Sequence, residues 1–93
     1  MNFSKVDGKN VGTVKMFTLS TCIWCKRTKQ FLADKGIEYS YLDMDKLEGE
    51  EKEKAMDELK LWNERCSFPT VVINNEKCIV GFREEEILEA LGI

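Results

Sequence analysis

Two of the four cysteines in this chain, Cys22 and Cys25, are separated only by Ile23 and Trp24. A thiolate is both the nucleophile of disulfide exchange and a metal ligand, so the pair suits either chemistry. At the start of a helix, sulfurs at this spacing can come within bonding distance, so that Cys25 can displace a substrate held by Cys22. We therefore predict that Cys22 is the attacking thiol and that Cys25 resolves the mixed disulfide formed at Cys22. The alternatives are a chance pair of core cysteines and a metal site. Zinc usually takes four ligands, and the sequence contains no second Cys-x-x-Cys pair to supply the other two.

The composition narrows the possible functions. The chain has 93 residues with 14 Lys and Arg, 17 Asp and Glu, and no histidine. Without an imidazole, Cys-His and Ser-His-Asp catalysis and every histidine-containing zinc site are excluded. The net charge of −3 argues against nucleic acid as a partner, and no apolar stretch approaches the roughly 20 residues of a membrane span. The N-terminus shows no apolar signal segment, so we expect a cytoplasmic protein, in which such a pair is seldom a structural staple.

The hydrophobic pattern predicts an α/β protein in the order β-α-β-α-β-β-α, with a four-stranded mixed sheet flanked by three helices. Residues 1–10 are polar and predict a loose arm or one short extra strand. The predicted strands lie at 11–19, 38–43, 70–74 and 78–80, and the predicted helices at about 23–35, 46–64 and 83–91. The first two strands should be parallel through a right-handed crossover, and the last two should form an antiparallel hairpin.

This arrangement places Cys22 where the first of these strands ends and a helix begins. The hydroxyls of Ser20 and Thr21 are suited to cap that helix. At a helix N-terminus, unpaired backbone N–H groups and the helix dipole favour an anion, which here would be the Cys22 thiolate. Three basic residues follow in the first turns, and we expect their charges to favour the thiolate further. They are Lys26, Arg27 and Lys29.

Three segments together resemble the glutaredoxin family, within the thioredoxin fold. They are the Cys22-Ile23-Trp24-Cys25 turn followed by Lys26, the Ser67-Phe68-Pro69-Thr70 segment, and the Cys78-Ile79-Val80-Gly81-Phe82 segment. The resemblance extends over about residues 13–92 and makes 11–93 a glutaredoxin-like domain. It implies reduction of protein disulfides, or of mixed disulfides with a small thiol, through a redox-active Cys22–Cys25 disulfide and without a further required cofactor or metal.

The resemblance also implies the substrate-binding residues. Pro69 would be a cis-proline beside the active-site sulfurs, and the backbone of Phe68 would pair with an extended substrate. The Gly81-Phe82 backbone and the side chains just after it would face the outer end of a bound thiol peptide. The residues expected to bind substrate or thiol are Thr21, Trp24, Lys26, Phe68, Pro69, Thr70, Gly81, Phe82 and Arg83.

Departures from the family pattern bear on the electron source. Leu19 stands where glutathione-using members usually carry a lysine, and Cys66 where they commonly have a basic or amide residue. Gly81-Phe82-Arg83 replaces a Gly-Gly-x-x-Asp motif and is more similar to the small redoxins that serve ribonucleotide reductase. The expected partners are disulfide-containing proteins and, as reductant, glutathione, another small thiol, or a flavoprotein- or ferredoxin-linked reductase. We expect a monomer. The alternative is an iron–sulfur cluster or metal carrier, with Cys22 and Cys25 of two chains holding the cluster.

Four further side chains are assigned more simply. Trp24 is either a partly buried aromatic or a wall of the substrate groove, and Trp62 is expected in the core. Cys78 is expected to be buried and inert. Cys66 is either a small apolar residue that closes the second helix or an accessory thiol beside the groove.

Overall fold

The computed structural model describes residues 3–93, which form three helices and one five-stranded sheet. In chain order the elements are β1 (Ser4–Val6), β2 (Val14–Thr18), α1 (Ile23–Asp34), β3 (Tyr39–Asp43), a 3-10 turn (Met44–Lys46), α2 (Gly49–Trp62), β4 (Thr70–Ile73), β5 (Lys77–Val80) and α3 (Glu84–Leu91). The predicted mixed α/β fold is confirmed. Within 3–93, no helix is both long enough and apolar enough to cross a membrane.

The strands lie in the order β1-β3-β2-β4-β5. β2 and β3 are parallel, and the other three pairs are antiparallel, including the predicted β4–β5 hairpin. The predicted count of four strands is wrong by one, because Ser4–Val6 pairs with β3. Of the two possibilities kept for residues 1–10, the short extra strand is therefore the one observed. It covers the outer edge of β3, whose backbone groups would otherwise lack partners.

Both faces of the sheet are buried, because α1 and α3 cover one face and α2 covers the other. Side chains alternate along a strand, so Val71 and Ile73 of β4 face α1 and α3 while Val72 faces α2. This explains why β4 is an uninterrupted apolar run rather than an alternating one. Trp62, expected in the core, is partly buried against the α2 side.

Two element boundaries differ by three residues from the sequence-based ones, and the others differ by two or fewer. The helix expected from residue 46 begins at Gly49, because residues 44–46 form a 3-10 turn and Glu48 is extended. The strand expected from residue 11 begins at Val14. Before it, Gly12 adopts a positive φ of 142°, and the Thr13 N–H donates to Asn74 Oδ1 at 2.9 Å. Both differences arise from local backbone turns that apolar periodicity does not reveal.

Leu59 tests the α2 side of the core. Its side chain is fully buried, whereas Leu61 on the same helix is 84% exposed. We expect Leu59→Ala to lower the free energy of unfolding by about 2–5 kcal/mol, because it removes buried methyl groups and leaves a cavity. The matched control Leu61→Ala should change it by less than about 0.5 kcal/mol. Urea denaturation followed by circular dichroism measures both, and equal losses would contradict the described packing of α2.

Candidate active site

The Cys22 sulfur caps the N-terminus of α1. The Cys22 backbone is extended, with φ −82° and ψ 118°, and its Sγ accepts a hydrogen bond from the Cys25 N–H at 3.2 Å. The sulfur therefore occupies the place of a capping oxygen, where the first-turn N–H groups and the helix dipole favour negative charge. The structure thus places Cys22 where the sequence predicted it, at a helix N-terminus.

The predicted capping by Ser20 or Thr21 is wrong. The Ser20 N–H donates to Asp45 Oδ1 at 2.9 Å, and its hydroxyl donates to the other oxygen of the same carboxylate. These bonds lower the pKa of Asp45 and fasten the loop before Cys22 to the 3-10 turn. Thr21 is exposed. The partner of Ser20 is distant in sequence, so a local capping pattern could not identify it.

Cys25 differs from Cys22 in its surroundings. It is fully buried, whereas Cys22 is partly exposed. Burial raises the pKa of Cys25 to about 12, with further increases from its hydrogen bond to Cys22 and from the charge of Cys22. A hydrogen bond with the Leu19 backbone and the charge of Lys29 act in the opposite direction. All four cysteines are free, so the structure represents the dithiol form with Cys25 held as a neutral thiol.

The loop between α2 and β4 carries the predicted proline. The Phe68–Pro69 peptide bond is cis, as the family resemblance implied. Asn63 holds this loop by donating from Nδ2 to Ser67 Oγ at 3.0 Å and to Thr70 Oγ1 at 3.2 Å. The Thr70 hydroxyl in turn donates to Ser67 O at 2.8 Å, and its side chain is buried. Thr70 therefore shapes the loop, and its side chain is not available to a substrate.

A second contact joins this loop to the end of β5. The Gly81 N–H donates to Pro69 O at 2.9 Å. Gly81 adopts a positive φ of 89°, a conformation that favours glycine over any residue with a Cβ atom. The turn after β5 is therefore held directly against the proline loop, which brings the two distant sequence motifs together.

A pocket of about 320 Å³ lies between α1, the proline loop and the end of β5. It is lined by Trp24, Phe68, Val80, Gly81, Phe82 and Arg83. Five of these were predicted as substrate-binding residues, and Val80 was missed because a strand valine is usually a core residue. Of the remaining predicted residues, Thr21 and Lys26 are exposed outside this lining, and Pro69 is buried and does not line the pocket.

Aromatic side chains form one wall of the pocket. The rings of Trp24 and Phe82 have centroids 6.3 Å apart, and Phe31 packs edge-on against Phe82 at 5.8 Å. Trp24 is 52% exposed, which supports its interpretation as a groove wall rather than a core aromatic. The Arg27 guanidinium lies over the Trp24 ring at 5.1 Å in a cation–π contact, although Arg27 does not itself line this pocket.

Lys29 of α1 is held by two neighbours. It forms an ion pair with Asp43 at 3.2 Å, and its ammonium lies 3.9 Å from the centre of the Tyr41 ring. Its charge lowers the pKa of Cys25. Arg83, which lines the pocket, donates to Val80 O and pairs with Glu86 at 3.5 Å.

The other departures from the family pattern have structural explanations. Leu19 and Cys66 both pack against the α2 side of the core, so each occupies its position as an apolar residue. Cys66 has a positive φ of 50° and follows α2, which supports its interpretation as a small apolar closing residue. Cys78 is partly rather than fully buried, and burial raises its pKa, which disfavours its reactive thiolate.

The cluster-carrier alternative stays a prediction. A cluster held by both cysteines of two chains would need four accessible sulfurs, and Cys25 is buried in the dithiol form described here. Within residues 3–93, no group of three or more His, Cys, Asp or Glu side chains is arranged to hold a metal ion.

Comparison with known proteins assigns the family. A family model described as glutaredoxin matches residues 14–79, which is more than half of the chain. The chain therefore belongs to the glutaredoxin family, and this membership supports thiol oxidoreductase activity.

Three relatives illustrate the range of similarity. The chain is similar to the crystal structure of a glutaredoxin from Methanosarcina mazei Go1, with 49% identity, a TM-score of 0.90, and coverage of 98% of this chain and 88% of that one. The methanoredoxin of Methanosarcina acetivorans is 48% identical, with a TM-score of 0.86 and coverage of 92% and 90%. An uncharacterised glutaredoxin-like 8.6 kDa protein in a rubredoxin operon of Clostridium pasteurianum is 28% identical over 74 residues, which is 80% of this chain and 91% of that protein.

Proposed function

We propose that this protein reduces protein disulfides, or mixed disulfides with a low-molecular-weight thiol, by dithiol exchange. Cys22 is the attacking sulfur and Cys25 the resolving sulfur. The observation that carries the proposal is the inequality of the two sulfurs, since Cys22 caps α1 and is partly exposed while Cys25 is buried as a neutral thiol. Two equivalent thiols would have no fixed order of attack, whereas this arrangement selects Cys22 for the first step.

In the first step, the Cys22 thiolate attacks one sulfur of the substrate disulfide. A bond forms between Cys22 and that sulfur, and the other substrate sulfur leaves as a thiolate that takes up a proton. The Cys25 N–H donates to the attacking sulfur in the dithiol form. Because this donor belongs to the backbone, the protein supplies it without rearranging, which is the advantage of a preorganised site.

We propose that the pocket holds the group attached to that sulfur, because Trp24 lies two residues after Cys22 and lines it. Trp24 and Phe82 offer apolar surface on one side, and Phe68 precedes the cis-proline on the other. An extended substrate segment could pair with the backbone of Phe68 in the manner of a short added strand, and this supports the family's mode of recognition here. The volume of about 320 Å³ suits a small thiol or a few residues of an extended peptide.

In the second step, the Cys25 sulfur attacks Cys22. The bond between Cys22 and the substrate breaks as the Cys22–Cys25 disulfide forms, so the substrate leaves reduced and the protein oxidised. An external reductant must then return two electrons to the protein. We propose that glutathione is a poor donor and that another small thiol, or a flavoprotein- or ferredoxin-linked reductase, supplies them.

The electrostatics of the site support that choice of reductant. Leu19 places an apolar side chain, packed on the core, where glutathione-using members carry a cation. Among the residues that line the pocket, Arg83 is the one with a charged side chain, and it is already paired with Glu86. A peptide thiol with two carboxylates, such as glutathione, therefore meets few free positive charges along this pocket.

The roles of the two cysteines are tested by serine variants. Cys22→Ser should reduce disulfide turnover to the uncatalysed background, because it removes the attacking sulfur. Cys25→Ser should accumulate a covalent adduct with a protein disulfide substrate, because the intermediate cannot be resolved. Intact-mass spectrometry and an insulin-reduction assay measure the two effects. Retained turnover in Cys22→Ser, or a trapped adduct on Cys22→Ser rather than on Cys25→Ser, would contradict the assignment.

The reductant is tested by comparing glutathione with the uncharged thiol 2-mercaptoethanol. The wild-type protein should show no preference for glutathione in kcat/KM. Leu19→Lys should improve kcat/KM for glutathione by about two- to fivefold, the effect of one exposed ion pair, and leave 2-mercaptoethanol unchanged. Leu19→Met, which preserves the apolar contact, is the matched control. Glutathione turnover in the wild type that exceeds turnover with other thiols and with a flavoprotein reductase would overturn the proposed electron source.

A further inference from the structure

Lys29 is held by two neighbours, Asp43 and Tyr41. Its ammonium lies 3.2 Å from Asp43 Oδ1 and 3.9 Å from the centre of the Tyr41 ring, and its side chain is only 20% exposed. The same Asp43 oxygen accepts a hydrogen bond from Thr18 Oγ1 at 2.5 Å. Lys29 is therefore a partly buried and oriented cation, unlike the exposed Lys26 on the preceding turn.

Lys29 lies four residues after Cys25 on α1. Residues four positions apart lie on the same face of a helix, one turn from each other. The charged groups that act on the Cys25 thiol are Cys22, which opposes ionisation, and Lys29, which favours it. The neighbouring strands supply Asp43 and Tyr41 from β3, both in contact with Lys29, and the neutral Thr18 from β2. Glu84 of α3 lies in a groove on α1 beside Arg27.

We propose that Lys29 is a positioning residue for the resolving step, in which its ammonium stabilises the Cys25 thiolate as that sulfur attacks Cys22. This inference rests on the proposed function, because it concerns the second step of the same reaction. It adds to that function a residue that contacts neither the substrate nor the pocket.

The step needs such a charge because Cys25 must change its protonation state during the reaction. In the dithiol form, the hydrogen bond to Cys22 and the charge of Cys22 both raise the pKa of Cys25. Once Cys22 is part of a mixed disulfide it carries no charge, so these two contributions end. Burial still opposes ionisation, and Lys29 is the charged side chain left to favour it.

The atoms and electrons of the step balance. The Cys25 thiol gives its proton to solvent, and the resulting thiolate attacks Cys22 Sγ. A bond forms between the two protein sulfurs while the bond from Cys22 to the substrate sulfur breaks. The electron pair leaves with the substrate sulfur, which takes up a proton, so that the two cysteines are oxidised and the substrate is reduced.

A purely structural ion pair is the competing explanation. In that case Lys29 and Asp43 would only tie α1 to the end of β3, and removing either partner would have the same consequence. The two explanations differ for Asp43→Asn. This variant keeps an Oδ1 acceptor for Thr18 and Lys29 but removes the negative charge. The Lys29 ammonium is therefore retained, and its charge is no longer neutralised by the Asp43 carboxylate.

The experiment follows the reaction of the reduced protein with 5,5′-dithiobis(2-nitrobenzoate) by stopped-flow absorbance. Cys66→Ala and Cys78→Ala form the background, which leaves Cys22 and Cys25 as the two thiols. The first nitrothiobenzoate is released in a phase that depends on reagent concentration, as Cys22 attacks. The second is released in a phase that does not, as Cys25 resolves the mixed disulfide. Lys29→Met, Lys29→Arg and Asp43→Asn are compared in this background over a range of pH.

We expect Lys29→Met to slow the second phase at neutral pH by about three- to tenfold. Loss of a nearby positive charge raises the pKa of a thiol, and the greater nucleophilicity of the more basic thiolate offsets part of the lost thiolate fraction. The difference in the rate of the second phase between Lys29→Met and the parent protein should decrease as the pH rises, because Cys25 becomes ionised in both. Lys29→Arg should stay within about twofold of the parent, Asp43→Asn should be at least as fast, and the first phase should be unchanged in all three.

Two results would overturn the inference while leaving the proposed function intact. One is an unchanged second phase in Lys29→Met, and the other is equal slowing in Lys29→Met and Asp43→Asn, as a structural ion pair requires. Absence of a concentration-independent phase in the parent protein would instead overturn the proposed function itself, because Cys25 would then not resolve the intermediate.

Discussion

The hydrogen bond from the Cys25 N–H to Cys22 Sγ is the contact on which the rest of the site depends. It makes one sulfur the cap of α1 and commits the other to the first turn of the same helix, where the sheet and helices bury it. The start of α1 thus leaves the Cys22 sulfur partly exposed and the Cys25 sulfur buried. The order of attack in dithiol exchange follows from that difference.

The fold contributes by holding three loops around this helix end. Asp45 fastens the loop before Cys22, Asn63 fastens the proline loop, and the bond from the Gly81 N–H to Pro69 O joins that loop to the end of β5. The first of these contacts joins a loop to the 3-10 turn, the second lies within the proline loop, and the third joins two loops. The pocket at the start of α1 is built from segments that are far apart in the chain, and these polar contacts hold the loops that carry its walls.

Much of the fold and of the candidate site could be predicted from the sequence, and the features that could not be predicted share a physical cause. Apolar periodicity identified the helices and most strands, and the three segments around Cys22, Pro69 and Gly81 together indicated the family. The features that the sequence did not predict concern partners at long range: Ser20 bonds to Asp45 rather than capping α1, and Lys29 pairs with Asp43. The extra strand Ser4–Val6 was left open for the same reason, because its short polar sequence gains order only from the free edge of β3.

The central claim is that burial and Cys22 together keep Cys25 protonated until Cys22 has reacted. Titration of the carbon-13 Cβ resonance of Cys25 in the reduced protein measures this directly. The midpoint should lie at about pH 12, and it should fall in Cys22→Ser, which removes the neighbouring sulfur and its charge. A midpoint at the ordinary thiol value of 9.0, unchanged in Cys22→Ser, would contradict the account.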